Sequence, residues 1–444
     1  MFTLAMRSVR HRPGRLIGTL LAATLGAAIA MAFNSLHDTA AAGVDDTSAM
    51  TLGLAGGVVG GYGTLLVFFT VASTLTVNVR QRGEELGTLR RAGATPAQLT
   101  RMVTGEALVV AVVSTLLAIG PAALGGSALL RLFQDTDQVA ADVDYVFGPI
   151  ALSAGFSVTL LASAGAAFVA VRRAARAAAG QRRRRGRART VGGVAALVTG
   201  SLGAPATLMM DASDEMLMAP ASYGAILLSI GFAAFSAPLL RGLLRCFGGL
   251  VAALTGAGGY LAVRNLRRRA DQLGGILMPL ILFTGIATAT LYMQVVESDA
   301  LEAAGLVKSA DDKNLVTINV IVAGIIVAFC CFSLVNSLYA ETSYRSGEFG
   351  RQRLTGATRW QVLTMVATES VLVTVTGLFF GTAAGLAGLI PFCVVRTDRM
   401  LPEQGPWIWL GVAAVGALAT LVTSLVTARR ALRKPAVAAV AVAA

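Results

Sequence analysis

Ten stretches of about twenty residues, each apolar and nearly free of charge, run along this chain, and lipid is the solvent that suits them. They fall near 16–36, 52–77, 103–130, 147–171, 190–209, 220–243, 273–295, 315–339, 361–390 and 406–428. A backbone that crosses a bilayer must satisfy its own hydrogen bonds, which leaves only helices and closed barrels. These runs are continuous and lack the two-residue alternation of barrel strands. The expected fold is therefore an all-α polytopic membrane protein of about ten transmembrane helices. A soluble globule is excluded, because 55% of the residues are hydrophobic, 14% are charged and the mean hydropathy is +0.70. The first run, Leu16 to Phe33, has a basic flank but no convincing cleavage site, so it reads as a span and not as a signal peptide. The third and ninth are long enough to begin as interfacial or tilted helix.

Basic residues set the orientation. With the N-terminus in the cytoplasm and the spans alternating, only Arg131, Lys308, Lys313, Arg396 and Arg399 of the 37 Lys and Arg fall outside. Acidic residues mostly go the other way: Asp45, Asp46, Asp135, Asp137, Asp142, Asp144, Asp214, Glu215, Asp311 and Asp312 are all outer. Both termini are then cytoplasmic. The formal charge of +13 is a topology signal, with contact to anionic inner-leaflet lipid as its by-product, and no nucleic-acid partner is expected. The run QRRRRGRAR (181–189) reads as a solvated, lipid-facing linker. Outer loops are too short for a folded domain of usual size, although 131–146 and 296–314 can form small caps.

The chain also repeats itself. RGEELGTLRRAGATPAQLTRMVTGE (82–106) aligns without a gap with RSGEFGRQRLTGATRWQVLTMVATE (345–369). Arg82 pairs with Arg345, Glu85 with Glu348, Gly87 with Gly350, Arg90 with Arg353, and Glu106 with Glu369. Gly93-Ala94-Thr95 pairs with Gly356-Ala357-Thr358. LAMRSVR (4–10) likewise resembles LAVRNLR (261–267), and VRRAAR (171–176) resembles ARRALR (428–433). Each half thus has a basic lead-in, four spans and an Arg-rich exit. The expected domains are a first four-helix repeat (1–180), an Arg-rich linker with an inserted helix pair (181–250), and a second four-helix repeat (251–444). An even number of helices separates the halves, so the repeats are parallel.

The repeated segment lies on the inner side, between spans two and three of each half. Glu84, Glu85 and Glu348 stand where a carboxylate favours a helix N-terminus. Gly93 and Gly356 end that helix at a sharp turn, and Thr95 and Thr358 cap the next one, which runs into the bilayer. The product is a short helix across the membrane face, hinged to a spanning helix. Such an element receives a push from a cytosolic partner and turns it into tilt. One copy alone would read as an ordinary positive-inside turn; two copies point to a shared contact. Glu106 and Glu369 leave two readings open: an intramembrane carboxylate kept for function, or a headgroup-level carboxylate paired with an arginine. Gln294, Asn319 and Asn336 read as interhelical hydrogen-bond formers. Cys246, Cys330, Cys331 and Cys393 have no CxxC or Cys/His spacing, so neither metal nor disulfide is expected. No GxxxxGK[ST] occurs, no catalytic residue stands out, and no nucleotide hydrolysis can be placed on this chain.

At these residues the sequence resembles the FtsX-like permease family, which includes MacB-type exporters, lipoprotein-releasing permeases and peptide-resistance permeases. The pattern R-x-x-E-h-G-x-L-R-x-x-G-A-T is carried by Arg82, Glu85, Gly87, Leu89, Arg90, Gly93, Ala94 and Thr95, with Glu106 following. The second copy departs from it at Arg351 and Gln352. The resemblance implies the permease subunit of an ABC transporter in a bacterial plasma membrane. A separate cytosolic ABC ATPase, in two copies, would bind ATP and Mg and dock on the repeated loops, leaving this chain with no cofactor and no enzymatic activity. The family works largely by mechanotransmission. Export or extraction of a lipid-like or amphipathic peptide substrate is the first functional expectation; a component that informs a sensor kinase or a cell-wall enzyme is the second.

Overall fold

The computed structural model describes residues 13–53, 55–57, 88–89, 91–136, 138–178, 183–212, 217–303 and 345–433, with 324, 331, 334–335, 338 and 435. All regular structure among them is helical. By length and composition five helices can cross a membrane: Ala97–Asp135, Arg189–Met209, Ile276–Ala300, Arg359–Thr397 and Trp407–Leu432. A bent pair makes a sixth. The expected runs at 52–77 and 315–339, with Asn319 and Asn336, lie almost wholly outside the described residues. The chain divides into two compact units, residues 1–183 with 307–325 and residues 184–306 with 326–444.

The first unit is built on α1 (Pro13–Ala40), α2 (Pro96–Asp135) and α3 (Pro149–Ala178). Alanines let these helices approach closely: Ala23, Ala27 and Ala30 of α1 are buried against Ala107, Ala118 and Ala122 of α2 and Ala151 and Ala162 of α3. At about 1.5 Å per residue the 40 residues of α2 reach about 60 Å, twice a hydrocarbon core, so α2 begins well outside it. At the acidic end the segment after α2 folds down over Phe33, Leu36, Leu52 and Phe133. The buried Asp38 carboxylate accepts from the backbone N–H groups of Ile150 (3.0 Å) and Ala151 (2.8 Å), which caps α3 from α1. Tyr145 donates to Ser35 Oγ at 2.9 Å.

The second unit contains α4 (Arg183–Ala206), a 3-10 turn (Thr207–Met209), α5 (Met218–Ala234), α6 (Ser236–Ala303), α7 (Ser346–Leu354), α8 (Arg359–Thr397) and α9 (Trp407–Leu432). Its core joins α6 to α8 at backbone distance. A Cβ on Gly381 would sit 2.9 Å from Ile281 O, and one on Gly385 would sit 2.9 Å from Gly285 O. Glycine is what allows these two helices to touch.

The run expected as a span at 220–243 is bent. The chain turns by 72° between α5 and α6. Pro238 stands in the first turn of α6 without an N–H to give the carbonyl of Ala234, so the helical ladder cannot run through. Arg189 of α4 reaches into this bend, with Nη2 3.4 Å from Ala233 O and from Ser236 Oγ. A second turn follows at Gly256, whose φ of 63° breaks α6 into two antiparallel arms. The pairing of α5 and the first arm with the second arm is continuous. Ser222 meets Met293 above the bend, Ser236 meets Gly274 at it, and Arg267 donates to Leu244 O (2.7 Å) below it.

Gln294 is corrected. It is buried, but neither side-chain amide atom has a hydrogen-bond partner.

Candidate coupling site

The repeated loop is best seen in the second unit. In α7, SGEFGRQRL, one face is set by Phe349, which is buried among Ala262 of α6, Val362, Met365 and Val366 of α8, and Ala428 and Leu432 of α9. Arg353 adds a tie at the other end, Nη1 to Leu432 O at 3.3 Å. A nine-residue helix is too short to hold itself in water, so this apolar anchor is what fixes it.

Above Phe349 the charged residues of the repeat converge. Arg345 packs over the Phe349 ring, 5.1 Å from its centroid. It donates through Nε to Glu348 Oε2 (3.1 Å) and through both terminal nitrogens to the Glu369 carboxylate, with Nη2 to Oε1 at 3.1 Å. Arg269 of α6 completes Glu348 at 2.6 Å. Asn265, one turn earlier on α6, donates to both carboxylates, at 3.2 Å to Glu348 and 3.1 Å to Glu369. Two guanidiniums thus balance two carboxylates across three helices. Fork-shaped Arg–carboxylate pairing fixes direction as well as distance.

Burial works against the charge on Glu348. The charge and hydrogen bond of Arg345 outweigh it, helped by Arg269 and Asn265, and hold the carboxyl below its ordinary value. Burial also opposes the charge on Arg345, but Glu369 and then Glu348 raise its pKa above the usual arginine value. Arg345 and Glu348 thus each favour the charged form of the other, which makes the pair an ionic clamp. Glu348 lies in the first turn of α7, where the sequence places a capping carboxylate, yet it is spent on side chains.

The turn after the short helix is the same in both units. Gly93 (φ 95°) and Gly356 (φ 99°) are left-handed, and Ala94 N–H and Ala357 N–H reach back to Leu89 O and Gln352 O, each at 3.0 Å. This is the six-to-one closure of a Schellman motif, and only glycine takes its left-handed position without strain. Thr95 and Thr358 then cap α2 and α8 with matching reciprocal boxes to Gln98 and Gln361. On either side of the second turn, Arg351, Thr355 and Arg359 are exposed, with Leu354 at 56% and Trp360 at 72%. In the first unit Arg91 and Leu89 are exposed in the corresponding region, and Glu106 is buried.

The structure thus brings together Arg345, Glu348, Glu369 and, nearby, Gly350 and Arg353. It places Gly93, Ala94 and Thr95 in the same turn as Gly356, Ala357 and Thr358. Arg82, Glu84, Glu85, Gly87 and Arg90 lie outside the described residues. Sequence reasoning missed Asn265, Arg269 and Phe349. A signal existed: extending the match of LAMRSVR to LAVRNLR by two residues pairs Arg12 with Arg269. Among the described residues no three His, Cys, Asp or Glu are grouped as metal ligands.

The model of the FtsX-like permease C-terminal family matches the chain twice, over residues 57–178 and 320–436, more than half of its length. The chain belongs to the FtsX-like permease family. Each match contains one copy of the glycine-threonine turn and one buried glutamate, so the internal repeat is a repeat of the family's own unit. Comparison with curated proteins gave no match. Membership makes the permease an ABC-transporter-type membrane component, of a kind generally not catalytic itself.

Proposed function

We propose that the permease is the transmembrane subunit of an ABC transporter of a bacterial plasma membrane, working by mechanotransmission. Ten spans, as two parallel four-helix repeats around an inserted pair, place both termini and both glycine turns in the cytoplasm. A separate ABC ATPase carries ATP and Mg, and one of its two copies docks on each turn. The observation that carries this reading is the identical turn in the two units, backed in the second by a buried clamp. Force on the Leu354–Trp360 tip enters α8 along its own helix and reaches α6 through Glu348, Glu369 and the Phe349 anchor.

The substrate class is a lipid-like molecule or an amphipathic peptide, exported or extracted from the outer leaflet. Its support is that the segment between α2 and α3 folds down onto α1 as a low cap, which leaves the flanks of the helices open to lipid. Apolar side chains such as Leu117 of α2, Leu202 of α4 and Leu418 of α9 are exposed.

The test is co-expression with an ABC ATPase encoded beside the permease, followed by purification in nanodiscs. Wild type should retain the ATPase. Trp360→Ala should weaken association by about thirtyfold, the loss expected for an exposed aromatic anchor worth about 2 kcal/mol. A wild-type permease that binds no ATPase contradicts the proposal. Co-purification of a sensor kinase, without ATPase stimulation by lipid or peptide, would favour the signalling role.

A further inference from the structure

The two arms that turn at Gly256 form a helical hairpin that the coupling site does not account for. On its first arm Leu240, Leu244 and Gly248 face the second arm and are buried. A second apolar stripe of the same arm faces away. Leu243 is half-buried, Cys246 is exposed, and Phe247 and Leu250 are 54% and 59% exposed, at spacings of three, four and seven. Leu261 on the second arm is 52% exposed. The same hairpin carries exposed arginines: Arg245 on the first arm, Arg264 and Arg268 on the second.

An open apolar stripe on an arginine-bearing hairpin suits neither water nor the middle of a bilayer. The 72° turn between α5 and α6 takes the first arm away from the direction of α5, so with α5 crossing the bilayer the arm lies closer to the membrane plane. Amphipathic helices with this pattern bind where headgroups meet acyl chains. The charges select the lipid, since each arginine near an anionic surface contributes about 1 kcal/mol.

We propose that this hairpin is a docking surface for anionic phospholipid in the leaflet on the Arg-rich side. Phe247 and Leu250 enter the acyl region, and Arg245, Arg264 and Arg268 hold the phosphates. Asn265 and Arg269 lie on the second arm, so lipid that settles the hairpin also settles the partners of Glu348 and Glu369. The proposal shares the sidedness argued above but requires no ATPase, and the two readings can fail separately.

The full-length permease with Cys330→Ser, Cys331→Ser and Cys393→Ala retains Cys246 as its single thiol for an environment-sensitive fluorophore. Nanodiscs of phosphatidylcholine alone are compared with discs holding about 30 mol% phosphatidylglycerol, each with spin-labelled lipid as the membrane quencher and iodide as the aqueous one. In anionic discs lipid should quench the label and iodide should not. Arg245→Gln/Arg264→Gln/Arg268→Gln, or removal of phosphatidylglycerol, should reduce lipid quenching about twofold or more. Free access of iodide in anionic discs overturns the proposal. So does shielding that appears only when ATPase is added, which would make the patch a protein interface. Lipid quenching that ignores both phosphatidylglycerol and the triple variant overturns the anionic selectivity. Retention of ATPase by the same samples, measured in parallel, reports on the coupling proposal independently and shows that the variant is folded.

Discussion

At the scale of single residues, the coupling site depends on a few positions where backbone or charge allows one solution. Gly356 is one: a Cβ at φ 99° is strained although space around it is open. Gly356→Ala should cost about 1 kcal/mol, and Gly93→Ala a similar amount, read as lowered thermal stability in detergent. Glu369 is another. Glu369→Ala leaves Arg345 buried with half its partners gone, and should cost about 3–5 kcal/mol. Glu348 sets the pH behaviour. Its carboxyl lies below the ordinary value of 4.5, so its contribution is complete above that value and is lost as pH falls through the lower, folded one. The ratio of permease-stimulated to free ATPase activity should therefore show no Glu348-dependent change from about pH 6 to 8, checked by comparing wild type with Glu348→Gln.

At the scale of elements, α6 and α8 act as one body because their backbones touch. Gly381→Leu forces a branched side chain onto Ile281 O and should destabilise the permease by about 1–3 kcal/mol, whereas Gly242→Ala, in open space, should not. Much of this level is readable from sequence. The runs at 103–130, 361–390 and 406–428 are helices, and the glycine-threonine turn forms with the caps that Thr95 and Thr358 announce. The bend at α5 was hidden because Pro238 sits inside an apolar run that hydropathy reads as continuous, although a proline with no N–H is the local warning. The clamp was half legible. Repetition picked out Arg345, Glu348 and Glu369, but that they meet each other is a tertiary fact. Asn265 and Arg269 were masked by an arginine run whose charges were sufficiently explained by topology.

At the scale of the whole molecule, the proposed coupling joins the exposed Leu354–Trp360 turn to α6 and α8 through the Arg345, Glu348 and Glu369 clamp. A clamp that only stabilised the fold would lower expression and melting temperature when broken. A clamp that transmits force would leave docking intact and uncouple it. The deciding measurement is the ATPase rate of the nanodisc complex relative to the ATPase alone, taken with binding affinity, for wild type, Arg345→Gln and Glu369→Gln. The account predicts affinities within about threefold of wild type for both variants, since Trp360 and Leu354 are untouched, together with loss of most of the permease-dependent change in rate. Single variants that bind and stimulate the ATPase as wild type does would contradict it.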